Sequence, residues 1–297
     1  MKNRERRDIK RKSKSRFQKQ SPLKPSIERK IIIPSSLFIH LPLAYKTLLI
    51  GYLARYFAIF RVKEIIIYKT IEDKEKRNAK IIKLLLEYSE TPQYLRKNLF
   101  KKSKKLKYAG LLLPLRTPHH PTLKENSFKV EYREGVVLSR KKGMILANIG
   151  LEEPVVVKGD YIEGKRITLR KTKEGTYEIV EKKEIPYYWG YEVKIVNSLK
   201  IALETVSKSY KIATSYYGEP AFSYLMKNLP DIMKYKSISL IFGSHDKGLL
   251  DIAQDEGFNL KKYVNTILNF IPQQGTYTVR TEEAIPISLA IINILIS

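Results

Sequence analysis

The stretch KIIIPSS at residues 30–36 decides the fold, because it predicts a buried strand that runs into a loop. The apolar residues that follow, up to Phe60, predict a helix, and EIIIY at residues 64–68 predicts a second buried strand. Strands made of continuous apolar residues are typical of a parallel sheet, since helices cover both faces of such a sheet. The sequence therefore predicts an α/β fold built on a parallel sheet.

The same pattern returns after residue 186. The segments at residues 191–196, 211–214 and 240–242 are strand-like, and a helix is expected at 199–207. Between the two α/β parts, alternation with period two is broken by glycines, which predicts short strands in a small OB-like β-barrel. We therefore predict a basic flexible arm at 1–29, an α/β domain at 30–124 and 186–297, and a β-insert at 125–185.

The charge of the chain points to a polyanionic partner. It has 56 basic and 30 acidic residues, and a net charge of +26 repels itself unless an anion relieves it. Nucleic acid is the first expectation, and an anionic membrane surface is the second. Residues 1–30 alone hold 13 Lys or Arg, which predicts an arm that follows phosphates, although a solvated tail without a partner has the same composition.

The predicted insert carries further cations. An exposed face of its barrel would suit RNA, whereas ordinary surface lysines on a structural insert are the alternative. The cations expected on this face are Arg133, Arg140, Lys141, Lys142, Lys165, Arg166, Arg170 and Lys171.

Composition excludes or disfavours several kinds of chemistry. The chain contains no cysteine, so a disulfide, a zinc–thiolate site and a thiol nucleophile are excluded, as expected of a protein in the cytoplasm. The longest uncharged run of its apolar segment, residues 31–45, is shorter than the roughly 20 residues that a membrane span needs. His119 and His120 lie between prolines without a third ligand at a suggestive spacing, so we expect loop residues and no metal.

Glycine-containing loops follow two of the predicted strands. No G-x-G-x-x-G follows a strand, and Gly243 and Gly248 have P-loop spacing but precede Leu249 and Leu250 instead of Lys and Ser or Thr. The stretch NFIPQQGTYTVRTEEA at residues 269–284 places many polar side chains between two apolar elements. Because α/β proteins bind ligands at loops of this kind, the stretch predicts a pocket.

Several segments in collinear order carry a resemblance to a known family. They are YAGLLLPL (108–115), TPHH (117–120), REGVV (133–137), YWGYEVK (188–194), LIFG (240–243) and PQQGTYTVRTEEA (272–284). Together they resemble the SPOUT-class RNA methyltransferases of archaea and eukaryotes, the family whose human member is also described as a centromere protein. RTEEA after P-x-Q-G is the most specific part of the resemblance.

The resemblance implies a fold, an activity and a partner. The segment from about residue 240 to 297 should form a deep trefoil knot, where S-adenosylmethionine should bind through three loops. A homodimer, RNA binding by the OB-like insert and methylation of a uridine at N3 in ribosomal RNA are implied as well. The implied cofactor-binding residues are Thr214, Ser215, Gly243, Ser244, Gly248, Ile271, Pro272, Gln274, Gly275, Thr276 and Thr278.

The chain departs from this family at three places. Tyr216 and Tyr217 stand where the family usually has Glu and Arg, Ser244 replaces the second glycine of a pair, and Leu250 replaces an acid. These departures leave two alternatives open. One is a methyltransferase that has lost activity, and the other is a non-enzymatic RNA-binding or ribosome-assembly factor on the same scaffold.

Two side chains of the RTEEA segment are the leading catalytic candidates. Arg280 is expected to stabilise a developing uracil oxyanion or a phosphate, since a guanidinium suits either anion. Attack by uridine N3 also requires removal of its proton, for which Glu282 is the leading general base, ahead of Glu283 and His119. The alternative is that the two glutamates complement the dipole at the start of a helix.

Overall fold

The computed structural model describes residues 22–121, 130–244 and 246–296. Most of the predicted arm, residues 1–21, and the predicted boundary at 124/125 lie outside these ranges. The strands, in chain order, are β1 (Glu28–Pro34), β2 (Val62–Tyr68), β3 (Tyr132–Lys141), β4 (Met144–Asn148), β5 (Val155–Lys158), β6 (Arg166–Lys171), β7 (Tyr177–Val180), β8 (Glu192–Val196), β9 (Tyr210–Pro220), β10 (Ser237–Ile241) and β11 (Thr266–Asn269).

Six of these strands form one parallel sheet in the order β11-β9-β10-β1-β2-β8. The predicted α/β fold with a parallel sheet is confirmed. The helices around the sheet are α1 (Leu43–Ile59), α2 (Arg77–Glu90), α3 (Gln93–Leu99), α4 (Leu199–Thr205), α5 (Ala221–Ile232), α6 (Leu249–Asp255) and α7 (Thr281–Leu295). Of the described helices, none is both long and apolar enough to cross a bilayer.

The two faces of the parallel sheet have separate cores, which explains the continuous apolar strands. Ile31 and Ile33 pack in a cluster with residues of α1, α2, α5 and α7, whereas Ile32 packs with residues of α4 and α6. All three side chains are 0% exposed. Complete burial of an isoleucine contributes roughly 1.5–3 kcal/mol, so each of these strands favours a position covered on both faces.

The other five strands form an antiparallel sheet in the order β5-β4-β3-β6-β7. The β3–β4 hairpin turns at Lys142 and Gly143, whose φ angles of 49° and 75° suit a tight two-residue turn. Val137, Ile145 and Leu169 belong to a core within this sheet. The edge strands β5 and β7 contact one another, so the sheet curls towards closure.

β9 differs from the short strand predicted for it. β11 pairs with β9 at Ile212 and Ala213 and, after an irregularity, again at Glu219 and Pro220. The strand therefore continues well beyond Thr214, the last residue predicted for it. The residues between the two pairings, 214–218, depart from the regular ladder at the carboxyl end of the sheet.

α1 begins later than the apolar pattern predicts. Residues 35–40 form turns, and the helix starts at Leu43 directly after Pro42. The prediction of one helix up to Phe60 is therefore wrong for its first part. Proline lacks a backbone N–H and is tolerated only at the start of a helix, so the helix cannot extend back through Pro42.

Candidate functional site

Three loops lie at the carboxyl edge of the parallel sheet, at the ends of β9, β10 and β11. Because these strands are parallel and adjacent, their carboxyl ends meet at one edge, where sheets of this kind bind ligands. The first is the irregular part of β9, residues 214–218, and the others are the described part of 242–248, and 270–280; we call all three loops. All predicted cofactor-binding residues lie in these loops: Thr214 and Ser215 in the first, Gly243, Ser244 and Gly248 in the second, and Ile271, Pro272, Gln274, Gly275, Thr276 and Thr278 in the third.

Side chains that donate to backbone carbonyls hold the start of the second loop. Thr214 Oγ1 donates to Ile241 O at 2.8 Å, and Tyr68 Oη donates to Phe242 O at 2.9 Å from the buried end of β2. Burial raises the pKa of Tyr68 well above its usual value, so the hydroxyl keeps its proton and remains a donor. These two bonds fix the point at which the chain leaves β10.

The third loop is tied to the other two in the same way. Asn269 Nδ2 donates to Tyr216 O at 2.9 Å, and Thr281 Oγ1 donates to Gly243 O at 3.0 Å. Gly218 approaches β11 so closely that a Cβ there would lie 2.5 Å from a backbone carbon of that strand. A residue without a side chain is therefore required where the first loop passes β11.

The loop at residues 270–280 shapes itself with its own polar groups and leaves space beside Gly275. Gln274 Nε2 donates to Thr276 O at 2.8 Å, and Thr276 Oγ1 donates to Thr278 O at 2.9 Å. A Cβ built on Gly275 meets no described atom within 4 Å. Residues 275–278 are exposed, so a ligand can reach the backbone of this loop.

Arg280, Glu282 and Glu283 lie together at the start of α7. Glu283 Oε2 accepts a hydrogen bond from Arg280 N at 2.9 Å and thereby caps the first turn of the helix. Arg280 Nη1 lies 4.0 Å from Glu282 Oε1, and the Arg280 side chain is 65% exposed. The alternative of a helix-capping role therefore describes Glu283. The guanidinium of Arg280 is exposed, whereas the side chain of Glu282 is only 21% exposed.

Exposed tyrosines flank the loops. Tyr217 and Tyr277 are 87% and 105% exposed, and the ring of Tyr216 meets that of Tyr217 edge to face with centroids 5.2 Å apart. Exposed aromatic rings are common platforms for unpaired bases in RNA-binding proteins. Where the family usually has Glu and Arg, this chain therefore offers a stacking surface in place of charge.

Most of the cations predicted to bind RNA lie on the surface of the antiparallel sheet. Arg140, Lys141 and Lys142 are exposed at the β3–β4 hairpin, and Lys165 is exposed before β6. Arg140 forms a surface ion pair with Asp160, which follows β5, and Arg170 forms one with Glu178 on β7. These pairs are weak, because solvent screens them, and they leave the arginines available to other anions.

The prediction that Arg133 and Arg166 lie on an exposed face is wrong. Arg133 is 2% exposed, and its Nη1 donates to Ile149 O at 3.2 Å. Arg166 lies between two buried carboxylates: its Nη1 is 2.5 Å from Glu90 Oε2, and its Nε donates to Glu134 Oε2. Residues 132–137 of β3 are all buried, and this strand contacts α3, so both faces of this part of the sheet are covered.

The cluster around Arg166 joins the two sheets. Burial by itself raises the pKa of Glu90, but the Arg166 guanidinium and His119 together outweigh burial and hold that pKa well below its usual range. The same balance lowers the pKa of Glu134, which also accepts hydrogen bonds from Thr168 Oγ1 at 2.8 Å and from Trp189 Nε1. Glu90 ends α2, so this charged and hydrogen-bonded cluster fixes the antiparallel sheet to the α/β part.

His119 and His120 belong to the same junction. His119 is fully buried, with Nε2 3.0 Å from Glu90 O and 3.2 Å from Glu90 Oε1. Burial and the neighbouring His119 lower the pKa of His120 to about 3, so its ring is neutral near pH 7. Since α2 ends near the amino edge of the sheet, His119 lies away from the three loops. Within the described residues, no group of three potential metal ligands occurs.

The sequence did not reveal the role of three residues that hold the carboxyl edge of the parallel sheet together. Tyr68, Asn269 and Thr281 make the bonds described above. Tyr68 closes the apolar strand EIIIY and Asn269 directly precedes the third loop, so a polar group at a strand end was the available signal. Their acceptors are carbonyls distant in the chain, which no local pattern reveals.

The chain matches a known family over most of its length. The profile of the family described as "Putative RNA methyltransferase" matches residues 28–292, which include both sheets and the three loops. The chain belongs to this family, and the predicted RNA methyltransferase family is confirmed.

Relatives from fly and human are among those that bear the name 28S rRNA (uridine-N(3))-methyltransferase. The Drosophila melanogaster protein is 32% identical over 279 residues, which cover 81% of this chain and 56% of that protein. The human protein is 32% identical over 281 residues, which cover 82% of this chain and 72% of that protein. The chain thus spans little more than half the length of the fly relative. A solved SpoU methyltransferase from Streptomyces viridochromogenes, in complex with AdoMet, aligns with 94% of this chain and 63% of its own at 8% identity and a TM-score of 0.34.

Proposed function

We propose that this protein is an S-adenosylmethionine-dependent RNA methyltransferase that methylates a uridine at N3 in ribosomal RNA. The observation that carries the proposal is the joining of three ligand-accessible loops at one sheet edge by Thr214, Asn269 and Thr281. Family membership supports methyl transfer to RNA, and the names of the fly and human relatives supply the base and the atom. A cytoplasmic location remains part of the proposal.

The loops at this edge fit a cofactor that is bound mainly through backbone groups. Gly275 leaves open space beside the third loop, and Gly243 lies where the second loop is bonded to α7. The cofactor would be held by the loop residues from Thr214 to Thr278 that the family resemblance implies. When bound, S-adenosylmethionine supplies an electrophilic methyl group to the reaction.

The residues at the start of α7 act on the uridine. Uridine N3 takes the methyl group and loses its proton, for which the partly exposed carboxylate of Glu282 is the acceptor. Arg280 has an exposed guanidinium that can lie beside the uracil oxygen where negative charge develops. Tyr217 offers a ring on which a base can stack, so that N3 is held in line for transfer.

The antiparallel sheet is proposed as an OB-like insert, residues 125–185, that holds RNA. Its five-strand order and the approach of β5 to β7 support a small barrel. Arg140, Lys141 and Lys142 at the hairpin supply cations that can follow phosphates. The arm at 1–29 and the α/β domain at 30–124 and 186–297 complete the proposed organisation.

A trefoil knot within residues 240–297 is also part of the proposal. After the edge strand β11 the chain passes the second loop, where Thr281 bonds to Gly243. α7 then reaches β1, where Arg29 Nη1 donates to Asn293 Oδ1 at 2.9 Å. A carboxyl-terminal segment that returns past an earlier loop to the middle of the sheet is what a knot of this kind requires.

A homodimer is supported by apolar side chains that remain exposed on two packed helices. α5 and α7 contact one another, and Phe222, Met226, Ile287 and Ile294 are exposed on them. Contiguous apolar surface of this kind commonly marks an interface. Sedimentation should therefore give a dimer that Ile294→Lys weakens, and a monomeric wild-type chain would contradict the proposal.

Calorimetry with S-adenosylmethionine tests the cofactor site. The wild-type chain should bind it in the micromolar range, and Gly275→Leu should lose binding because the side chain fills the space beside the loop. Gly110→Leu is the matched control, since a Cβ on Gly110 also meets no described atom within 4 Å and this residue lies outside the three loops. Absence of binding to the wild-type chain would support the alternative, a non-enzymatic RNA-binding or ribosome-assembly factor.

A further inference from the structure

A basic cleft lies at the amino edge of the parallel sheet, opposite to the three loops. Its volume is about 290 Å³, and its walls include the starts of β2 and β8 and the segment after β7. The acidic side chains in its lining are Glu28 and Glu192. They are outnumbered by the cationic side chains, which are Lys24, Arg61, Lys63, Lys182 and Lys183.

The first described residues of the chain build one wall of this cleft. Lys24 N donates to Pro186 O at 3.1 Å, which places Lys24 against the segment that precedes β8. Lys24 Nζ then donates to the backbone carbonyls of Lys182 and Lys183 at 2.9 and 3.0 Å. The ammonium group of Lys24 therefore positions the segment that carries two of the other cations.

Lys183 pairs with Glu181 at the surface, but the charge of Arg61 and Lys63 is poorly compensated from within the chain. Arg61 donates to two neutral acceptors, Leu23 O at 3.4 Å and Asn293 Oδ1 at 3.3 Å. Across residues 22–121, 130–244 and 246–296, neither Arg61 nor Lys63 forms an ion pair with a carboxylate. Burial, together with the nearby Lys63, lowers the pKa of Lys24. A bound anion would offset both the repulsion and the burial.

We propose that this cleft binds a phosphate of the RNA backbone. The inference rests on the proposed function for the choice of RNA as the anion. The aromatic side chains in the lining, Tyr188, Trp189 and Tyr191, are buried and offer no stacking surface, so the contact is to a phosphate and not to a base. Ten of the first 21 residues are Lys or Arg, and the chain enters the fold at Pro22, beside the cleft. The basic arm therefore continues in sequence directly into Lys24, one of the cations of the cleft.

The cleft is separated from the proposed methylation site by the length of the sheet. β1 contains seven residues and spans roughly 20 Å between the two edges. A phosphate in the cleft therefore belongs to a nucleotide several positions away from the target or to a neighbouring RNA segment. The cleft should contribute to affinity for RNA without contacting the reacting atoms.

The test compares two triple variants of the full chain with equal loss of charge. The cleft variant carries Arg61→Gln, Lys63→Gln and Lys183→Gln. Lys24 is left in place because its ammonium group donates hydrogen bonds to backbone carbonyls and so has a structural role. The control variant carries substitutions to Gln at three exposed lysines near the other end of the same edge: Lys208, Lys261 and Lys262. Affinity for a mixed-sequence hairpin RNA is measured by fluorescence anisotropy over a series of salt concentrations.

The cleft variant should bind the RNA on the order of 10-fold more weakly near 0.15 M salt, and its salt dependence should decrease by about one phosphate contact. The control variant should stay within about threefold of wild type. Because both variants lose the same net charge, the difference in affinity between them reports on the cleft itself. Equal affinities for the two variants would overturn the proposal. So would cleft-dependent binding to vesicles containing phosphatidylserine without cleft-dependent binding to RNA.

Two further measurements separate folding and cofactor effects from the role of the cleft. If the triple variant unfolds at a lower denaturant concentration than wild type, the single variant Lys63→Gln is used, for which a loss of about fivefold is expected. Calorimetry with S-adenosylmethionine should give the same affinity for the cleft variant as for wild type. Wild-type failure to bind this cofactor would remove the proposed function, whereas loss of RNA binding in the cleft variant would still support the phosphate site.

Discussion

Arg166→Gln probes the ion cluster that joins the two sheets. The substitution removes the cation between Glu90 and Glu134, so both carboxylates lose their ion pair with Arg166. Their side chains are 5% and 0% exposed, so water cannot fully replace the lost partner. Loss of one partner of a buried ion pair costs roughly 3–5 kcal/mol, because an uncompensated charge stays behind. The Arg166 side chain is itself 21% exposed, so the lower end, about 3 kcal/mol of unfolding free energy, is expected.

The pH dependence of this loss has a definite sign. In the wild-type chain the pKa values of Glu90 and Glu134 are lowered, so their contribution is present above their usual pKa of 4.5 and is lost as the pH falls below it. Without Arg166, burial dominates and raises both pKa values above 4.5. The folded variant then binds protons at a higher pH than the unfolded chain does. Its deficit relative to wild type should therefore shrink as the pH is lowered from 8 to 5.

Urea unfolding at pH 8 and pH 5 measures both effects, with Arg140→Gln as the matched control. Arg140 pairs with Asp160 on the surface of the same sheet, so its replacement should cost no more than about 1 kcal/mol at either pH. A thermal scan should show the Arg166 variant melting lower by on the order of 10 °C. Equal destabilisation by the two substitutions, or a deficit that grows towards pH 5, would refute the reasoning.

Three further predictions concern the carboxyl edge. Tyr68→Phe removes the donor to Phe242 O and should lower the unfolding free energy by about 1–2 kcal/mol in a urea titration; an unchanged midpoint would contradict this role. Gly218→Ala forces a Cβ against β11 and should cost roughly 1–3 kcal/mol, whereas Gly275→Ala should change thermal stability by less than about 0.5 kcal/mol; similar losses would show that the close approach does not matter. Arg280→Ala should abolish methylation while calorimetry still shows cofactor binding, and unchanged turnover would exclude its catalytic role.

The parallel sheet could be predicted because the sequence of each strand by itself indicates that both of its faces are buried. IIIP and EIIIY have no polar alternation, and a strand of this kind is stable only between two layers of helices. The loops could be anticipated for a related reason, since glycines and polar residues directly follow apolar strands. The family resemblance added the activity, which no periodicity contains.

The junction could not be predicted, because its partners are distant in the chain. Arg166 on β6 had the sequence context of a surface cation on a β-strand, and Glu90 that of the end of an amphipathic helix. Only the packing of the insert against α2 brings them to 2.5 Å. The basic cleft has the same origin, since it combines Lys24 with residues near 61 and 182.

The two glutamates of RTEEA show where local motifs stop being decisive. Either side chain could cap a helix or face a substrate, and the sequence is equally compatible with both. The bond from Arg280 N assigns the capping role to Glu283, and Glu282 makes no such bond. The residue at which α7 begins, and not the residue types, decides which glutamate caps the helix.

Methyl transfer to RNA is tested most directly by nucleoside mass spectrometry. An unmodified ribosomal RNA transcript is incubated with the full chain and S-adenosylmethionine that carries a deuterated methyl group, then digested to nucleosides and compared with an N3-methyluridine standard. The proposed function predicts labelled N3-methyluridine with the wild-type chain and none with Arg280→Ala. Absence of the label from N3-methyluridine with the wild-type chain, or its appearance only on another nucleoside, would contradict it.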